Sequence, residues 1–314
     1  MQITKFSLPV QKLYQQVQQQ AQCSIVLEDN GRRENWLAFD QSGHKKDNAG
    51  KIHLEMAQSS NPDFTLAHEL RHLQVELSDF AQVRFPVTSS QPELDRDLQV
   101  CTIALIGSVE HILIMQQHYQ NQEITAAIKD DFKRGLRKQL VPETTDVDHY
   151  FIFDTLVMLD ALTFSQGEDL DEWQQHYPHS WAAAQQLYQL LASKLEPTAF
   201  SLRRQEVRLF NQFNQILQNQ QFPLLPFQEF VALEPVLSQR QLRLNVNQVF
   251  QIKHLDFSDR QTSKRALALV GLNDQQMVST LYFAAEPTPE QYRQLYQLPV
   301  SQFLQLQKIH YYLR

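Results

Sequence analysis

The sequence has few cysteines and few glycines, and these shortages exclude several kinds of catalytic site. Its two cysteines, Cys23 and Cys101, are too few for a disulfide scaffold and form no C-x-x-C motif. Only 7 of the 314 residues are glycine, and the chain contains neither a glycine-rich phosphate loop nor a G-x-S-x-G nucleophile turn. Any metal ion must therefore be held by histidine and carboxylate groups.

An excess of positive charge and a membrane-spanning segment are also missing. The net charge is -7, and the one basic run, at residues 133–138, is short, so nucleic acid is not an expected partner. The longest apolar stretch, residues 103–115, contains Glu110 and is too short to cross a bilayer. The first residues lack the apolar core of a signal peptide. We expect a cytoplasmic protein with no membrane partner, whose oligomeric state the sequence leaves open.

The order of apolar patterns predicts an α+β fold in three consecutive regions. Residues 1–120 should form a small core with one helix, three short strands within 23–29, 35–41 and 51–57, and two long helices starting near Pro62 and Asp95. Residues 121–222 have helical patterns. Residues 223–314 alternate apolar with polar residues, with a hairpin around residues 271–274 and a last helix from Pro289, and predict a C-terminal α+β region.

Residues 68–72 read His-Glu-Leu-Arg-His, which is the motif H-E-x-x-H. Two histidines four residues apart on a helix lie on one side of it, so His68 and His72 can both reach one Zn²⁺ ion. The next side chain, Glu69, is rotated to the flank, where a general base could take a proton from zinc-bound water. The motif therefore predicts two metal ligands and one catalytic carboxylate.

The same helix has an apolar stripe that indicates which side faces the core. Leu66, Leu70, Leu73 and Leu77 recur at helical spacing, whereas the two histidines of the motif point away from this stripe. We expect residues 22–57 to form a sheet that packs on the leucine side. The alternative interpretation of the histidine side is an ordinary solvated helix face.

A third metal ligand is expected on the second long helix. Glu110 lies there on an apolar face, where an unpaired charge is costly, and a metal ion would neutralise it. His111 is an alternative, as a ligand or as a group that orients the site. Weaker candidates are the acidic residues Glu76, Asp79, Glu93, Asp95 and Asp97 as ligands, and His149 and Tyr150 as groups that stabilise an oxyanion.

With this motif on a helix that follows several strands, residues 5–120 resemble the zincin metallopeptidases. Within them they are similar to the compact, glutamate-liganded (gluzincin-like) ImmA/IrrE-type peptidases. The resemblance implies a zinc-dependent peptidase that hydrolyses peptide bonds in a protein or peptide substrate. It implies His68, His72 and Glu110 as zinc ligands and Glu69 as the general base. It also implies that "KIHLEMA", residues 51–57, is an edge strand that pairs with extended substrate.

Two other hypotheses remain open at this stage. The chain could be a non-catalytic zincin-like module that binds or regulates a protein, or the motif could occur by chance in a helical interaction module. Metal analysis separates the last hypothesis from the others, and peptide hydrolysis with a chelator control separates the first two.

Overall fold

The chain contains helices and strands, with a run of consecutive helices between two parts that contain the sheets, which confirms the α+β class. The computed structural model describes residues 1–37, 42–78, 80–143, 150–168, 170–193 and 195–314. Its α-helices are α1 (Leu8–Ala21), α2 (Pro62–Glu76), α3 (Pro92–Gln120), α4 (Ala126–Gln139), α5 (Phe151–Ser165), α6 (Asp171–His176), α7 (Pro178–Ala192), α8 (Ala199–Asn219), α9 (Phe227–Phe230), α10 (Gln239–Arg243), α11 (Pro289–Gln297) and α12 (Val300–Leu306). Its strands are β1 (Ile25–Arg33), β2 (Gly43–Lys46), β3 (Ile52–Gln58), β4 (Val83–Arg84), β5 (Val87–Thr88), β6 (Ala232–Leu233), β7 (Val236–Leu237), β8 (Phe250–Asp259), β9 (Arg265–Gly271), β10 (Met277–Thr280) and β11 (Tyr312–Leu313).

The chain divides into two compact units, each made from two separate stretches of sequence. Unit 1 comprises Met1–Ser78 and Glu110–Tyr188, and unit 2 comprises Asp79–Val109 and Gln189–Arg314. Both α3 and α7 contribute residues to each unit. The division into consecutive regions 1–120, 121–222 and 223–314 stays a prediction about which segments fold independently.

Unit 1 contains a three-stranded sheet in the order β1-β3-β2. Strand β3 pairs in parallel with β1 and antiparallel with β2. It is therefore the central strand, and the expectation that residues 51–57 form an edge strand is wrong, because both of its edges are occupied. The strand predicted at 35–41 is displaced to Gly43–Lys46, and residues 38–41 lie outside the described part of the chain.

The apolar core of unit 1 lies between this sheet, α1 and the leucine side of α2. It confirms the prediction that the sheet packs on that side of the motif helix. Leu77 is partly buried against the same core. The buried residues of the core are Phe6, Val10, Val17, Ile25, Leu27, Ile52, Leu54, Met56, Leu66, Ala67, Leu70 and Leu73.

Helix α4 holds the start of α2 and the segment after β1 in place. The carboxylate of Asp131 in α4 accepts hydrogen bonds from the side chains of Ser60 and Asn61, just before α2 begins. The backbone N–H of Leu37 donates to the carbonyl of Asp131 at 3.1 Å. Gly135 allows this approach, since a Cβ atom there would lie only 1.9 Å from the Leu37 carbonyl oxygen.

Unit 2 contains a four-stranded antiparallel sheet in the order β10-β9-β8-β5. Strands β9 and β10 form the hairpin predicted around residues 271–274. The helix predicted from Pro289 is instead two helices, α11 and α12, with Pro299 just before α12. Proline cannot donate a backbone hydrogen bond inside a helix, so the chain breaks at this position.

Helix α3 is the one helix in the described residues that is long and apolar enough to cross a membrane, judged by length and composition alone. Of its 18 most apolar consecutive residues, 61% are buried inside the structure. The cytoplasmic location and the lack of a membrane partner stay predictions.

Candidate metal centre

Helix α2 is buried on both sides, so the motif does not lie on a solvated surface. Of its motif residues, His68 is 3% exposed, Glu69 5% and Arg71 3%. The leucine side faces the sheet, and the side with the histidines faces the second half of α3, through contacts with His111 and His118. The interpretation of the histidine side as a solvated face is therefore wrong.

Three histidines direct one nitrogen each to a common point in unit 1. The Nε2 atom of His72 lies 3.2 Å from Nε2 of His68 and 3.0 Å from Nε2 of His111. The three side chains form a group that could hold a metal ion, with all ligand atoms within 4.8 Å of one another. Two members come from α2 and the third from α3.

The arrangement of these nitrogens fits a cation better than it fits hydrogen bonding. Each ring nitrogen has one N–H or one lone pair, so the Nε2 of His72 can make one good hydrogen bond but has two nitrogen neighbours. A tetrahedral ion with zinc–nitrogen bonds of about 2.0–2.1 Å holds its ligand atoms about 3.3–3.4 Å apart. The observed separations of 3.0 and 3.2 Å are close to that value. The donor set therefore suits Zn²⁺.

The outward-facing nitrogens of two of these histidines contact carboxylates. The Nδ1 atom of His72 lies 3.1 Å from Oε2 of Glu110, and Nδ1 of His111 lies 3.2 Å from Oδ1 of Asp160 in α5. A histidine that binds metal through Nε2 carries its proton on Nδ1, and a carboxylate there fixes the ring and increases its basicity. The carboxylates of Glu110 and Asp160 both lie where they can fix a ligand histidine in this way.

The structure brings Glu110 to the site in a different position from the one expected of a ligand. Its carboxylate contacts the outer nitrogen of His72, its side chain is 30% exposed, and the group that could hold a metal contains His111 in its place. The apolar neighbours of Glu110 in the sequence predict a buried charge that needs neutralisation, whereas its partial exposure and its contact with His72 reduce that need. The assignment of Glu110 as a ligand stays a prediction, and the geometry offers His111 as the alternative.

The outer nitrogen of His68 contacts a second histidine, His118, and His118 in turn contacts the carboxylate of Glu123. Its Nδ1 lies 3.4 Å from Nε2 of His118 on α3, and Nδ1 of His118 lies 2.6 Å from Oε2 of Glu123. The carboxylate can only accept, so His118 carries its proton on Nδ1 and presents a lone pair to His68. The Nδ1 of His68 therefore carries the proton and donates it to His118, which leaves Nε2 of His68 without a proton.

Arg71, the charged residue within the motif, belongs to the same network. Its Nη2 donates to Oε1 of Glu123 at 2.8 Å and its Nε donates to the amide oxygen of Gln117 at 3.2 Å. The side chain of Arg71 is only 4% exposed, so an unpaired guanidinium would be costly there. Glu123 therefore neutralises Arg71 and orients His118 at the same time.

Burial favours the neutral imidazoles of His68 and His118. Desolvation lowers the pKa of His68 well below its usual value, and the neighbouring histidines and Arg71 lower it further. Desolvation also lowers the pKa of His118 to about 4, although the hydrogen bond to Glu123 acts in the opposite direction. Metal ligands must be unprotonated, so the shift of His68 favours metal binding at neutral pH.

The catalytic candidate Glu69 faces a histidine from the sheet. Nδ1 of His44 in β2 lies 3.9 Å from Oε2 of Glu69, and its Nε2 lies 2.6 Å from Oε2 of Glu76. Burial lowers the pKa of His44, but the nearby carboxylates of Glu69 and Glu76 outweigh this effect and raise that pKa to about 9. His44 is therefore a cation at neutral pH, placed between Glu69 and Glu76.

The remaining candidates from the sequence have other roles or are not described. Asp95 accepts a hydrogen bond from Ser89 and pairs with Arg260 in unit 2. Tyr150 is 48% exposed. His149 and Asp79 lie outside the described residues.

Sequence reasoning missed four side chains that support the site: His44, His118, Glu123 and Asp160. One signal was available, because His118 follows His111 by seven residues and so lies two turns along on the same side of α3. The other three come from separate elements and had no local signal. Comparison with known protein families, curated proteins and solved structures found no match for this chain.

Proposed function

We propose that this chain is a zinc-dependent peptidase of the zincin type, with His68, His72 and His111 as the metal ligands and Glu69 as the general base. The observation that carries the proposal is the convergence of three Nε2 atoms, two from the motif helix α2 and one from α3, at separations of 3.0 and 3.2 Å. Catalytic zinc sites use three protein ligands and keep a further position open. The three imidazoles would supply those ligands.

The outer contacts of the three histidines support the same assignment. Each Nδ1 atom has a partner that can accept a hydrogen bond from it. The partners are Glu110 for His72, Asp160 for His111 and His118 for His68. Partners of this kind keep ligand histidines in one tautomer and one orientation. An accidental cluster of histidines would have no reason to direct every lone pair inward.

The reaction would use a proton transfer through Glu69. A bound zinc ion lowers the pKa of water towards 7 and polarises a carbonyl group. Glu69, which follows the ligand His68 directly, would take a proton from the attacking water as its oxygen bonds to the scissile carbonyl carbon. The carboxylate would then give the proton to the leaving amine nitrogen as the carbon–nitrogen bond breaks. His44 would hold the carboxylate of Glu69 by charge attraction during these steps.

Peptide is the substrate class that the sheet of unit 1 favours. Strand β2 lies at the edge of that sheet, and its His44 reaches Glu69. Within the described residues its outer edge is not paired with another strand, so its backbone groups are available to an extended peptide. The substrate-pairing role that the resemblance implied for residues 51–57 therefore passes, in this proposal, to β2.

The test combines metal analysis with peptide digestion. Purified protein should contain about one zinc ion per chain and should cleave members of a complex peptide mixture, with the products identified by mass spectrometry. Removal of zinc with a chelator should abolish cleavage, and zinc should restore it. Protein without bound zinc, even after zinc is supplied, would contradict the metal site. Zinc-loaded protein that cleaves no peptide would contradict the peptidase assignment and favour the non-catalytic alternative.

A further inference from the structure

Unit 2 contains a cavity of about 610 Å³ along the first half of α8, and its lining is rich in arginine. Four arginines line it, Arg203, Arg204, Arg208 and Arg314, whereas Asp274 is the one acidic residue of the lining. The protein as a whole carries a net charge of -7. The cavity is therefore a local concentration of positive charge in an acidic protein.

Two of these arginines are fixed as parts of the wall. The Nη1 atom of Arg203 lies 2.5 Å from Oδ2 of Asp274, and its Nε donates to the backbone carbonyl of Glu234 at 3.0 Å. The guanidinium of Arg314 lies over the ring of Phe200, 4.9 Å from the ring centre. These contacts hold the two guanidinium groups against the wall of the cavity.

The other two arginines have no acidic partner among the described residues. Arg204 and Arg208 are both exposed, and none of the ion pairs or side-chain hydrogen bonds of the described chain involves them. They lie four residues apart on α8, so their like charges are neighbours and repel each other. Some exposed arginines elsewhere, such as Arg137 and Arg293, have a carboxylate within 3.1 Å. An anion between Arg204 and Arg208 would remove this repulsion.

We propose that this cavity binds a small phosphate monoester, with Arg204 and Arg208 contacting the phosphate group. A phosphate monoester carries nearly two negative charges at neutral pH and has three acceptor oxygens, which match two adjacent guanidinium groups better than one carboxylate does. The volume is in the range of pockets for small molecules. Phe200 and Val207 provide apolar contacts for the organic part, and Asn211, Gln228 and Gln241 provide amide groups.

The organic part could be a nucleoside or a sugar, and the experiment separates these sources. Isothermal titration calorimetry at low salt would use adenosine monophosphate, glucose 6-phosphate, inorganic phosphate and uncharged adenosine as probes. At least one of the two esters should bind, more tightly than inorganic phosphate, and higher salt should weaken that binding. Preference for adenosine monophosphate would identify a nucleotide site, and preference for glucose 6-phosphate a sugar phosphate site.

The double variant Arg204→Gln/Arg208→Gln should bind the preferred ester about tenfold more weakly or worse, because it loses two charge-assisted contacts. The matched control is Arg240→Gln/Arg243→Gln, since these arginines of α10 are also exposed, lie one turn apart in unit 2 and do not line the cavity. The control should bind like the wild type, and both variants should keep the wild-type melting temperature. The proposal is overturned if neither ester binds, if adenosine binds as tightly as its phosphate, or if both double variants have the same affinity.

Discussion

The Nε2 atoms of His72 and His111 lie 3.0 Å apart, although 39 positions separate these residues in the sequence. His72 belongs to the motif helix α2, and His111 to the long apolar helix α3. Their outer nitrogens contact Glu110 and Asp160, so both rings are held with a nitrogen directed to the same point. Glu110 and His111 are neighbours in the chain, yet His111 directs a nitrogen to the common point, whereas Glu110 contacts the outer nitrogen of His72.

The identity of the third ligand can be tested with two substitutions of adjacent residues. His111→Ala should remove a ligand, and the dialysed variant should retain little zinc. Glu110→Gln should keep one zinc per chain but bind it about 10–100-fold more weakly, which is the usual cost of losing a supporting carboxylate. Zinc competition with a chromogenic chelator measures both effects, with His254→Ala in unit 2 as a control. The reverse order of the two effects would restore Glu110 as the ligand.

Glu69→Gln should separate catalysis from metal binding. The substitution keeps the shape of the side chain and removes the basicity that the proposed mechanism requires. Cleavage of a confirmed peptide substrate should fall about 10²–10⁴-fold, the usual contribution of a positioned general base. Zinc content and melting temperature should stay near the wild-type values. Wild-type rates in this variant would exclude Glu69 as the base.

The contact of His118 with His68 predicts an effect on zinc affinity at a distance from the metal. His118→Phe removes the acceptor for the Nδ1 proton of His68, while an aromatic ring can still pack on Phe64, whose ring centre lies 4.6 Å from that of His118. Zinc affinity should fall about 10–100-fold. The melting temperature of the chelator-treated variant separates this effect from a general loss of stability. Unchanged zinc affinity would show that His118 does not orient His68.

The ion pairs of His44 predict a pH-dependent contribution to stability. The pKa of His44 is raised from 6.5 to about 9 by the carboxylates of Glu69 and Glu76, so protonated His44 stabilises the folded state. This contribution is complete below about pH 6.5 and is lost as the pH rises through about 9. The melting temperature of His44→Gln should therefore lie below that of the wild type by a few degrees at pH 6. The difference should shrink by pH 9.5, and a constant difference over this range would contradict the assignment.

Two helical glycines allow a direct test of the packing between α4 and the segment after β1. Gly135→Ala should destabilise the protein by about 1–3 kcal/mol, because the new Cβ would meet the carbonyl oxygen of Leu37 at 1.9 Å. Gly107→Ala in α3 has nothing within 4 Å of the new atom and should stabilise the protein by up to about 1 kcal/mol through helix propensity. Thermal unfolding measures both. Equal effects of the two substitutions would contradict the close approach.

Several features of the fold were predictable because they depend on local spacing. The H-E-x-x-H spacing places His68 and His72 on one side of a helix, and the leucine spacing places a core on another side. Spacing of the same kind predicts the first helix, the α+β class and the hairpin around residues 271–274. These properties follow from the 3.6-residue and two-residue periods of helices and strands, which are present in the sequence itself.

Strand order and strand position required the folded chain. Strand β2 has the sequence Gly-His-Lys-Lys, which has no apolar alternation and resembles a turn. It is a strand because β3 offers it a free edge, and hydrogen bonding to β3 does not depend on the side chains. The pairing of β2 with β3 makes β3 the central strand and places His44 near Glu69.

By itself the sequence determined that two imidazoles and a carboxylate stand together on α2, since the helical repeat fixes their relative directions. Only the tertiary structure decided which side chain of α3 joins them. Glu110 and His111 differ by about 100° around the helix, so the rotation of α3 about its axis makes the choice, and that rotation depends on packing. The tertiary structure also decided how a charged Arg71 is tolerated at a buried position. Glu123, 52 residues further along the chain, supplies the opposite charge. Such pairings depend on distances in space, which no local spacing in the sequence encodes.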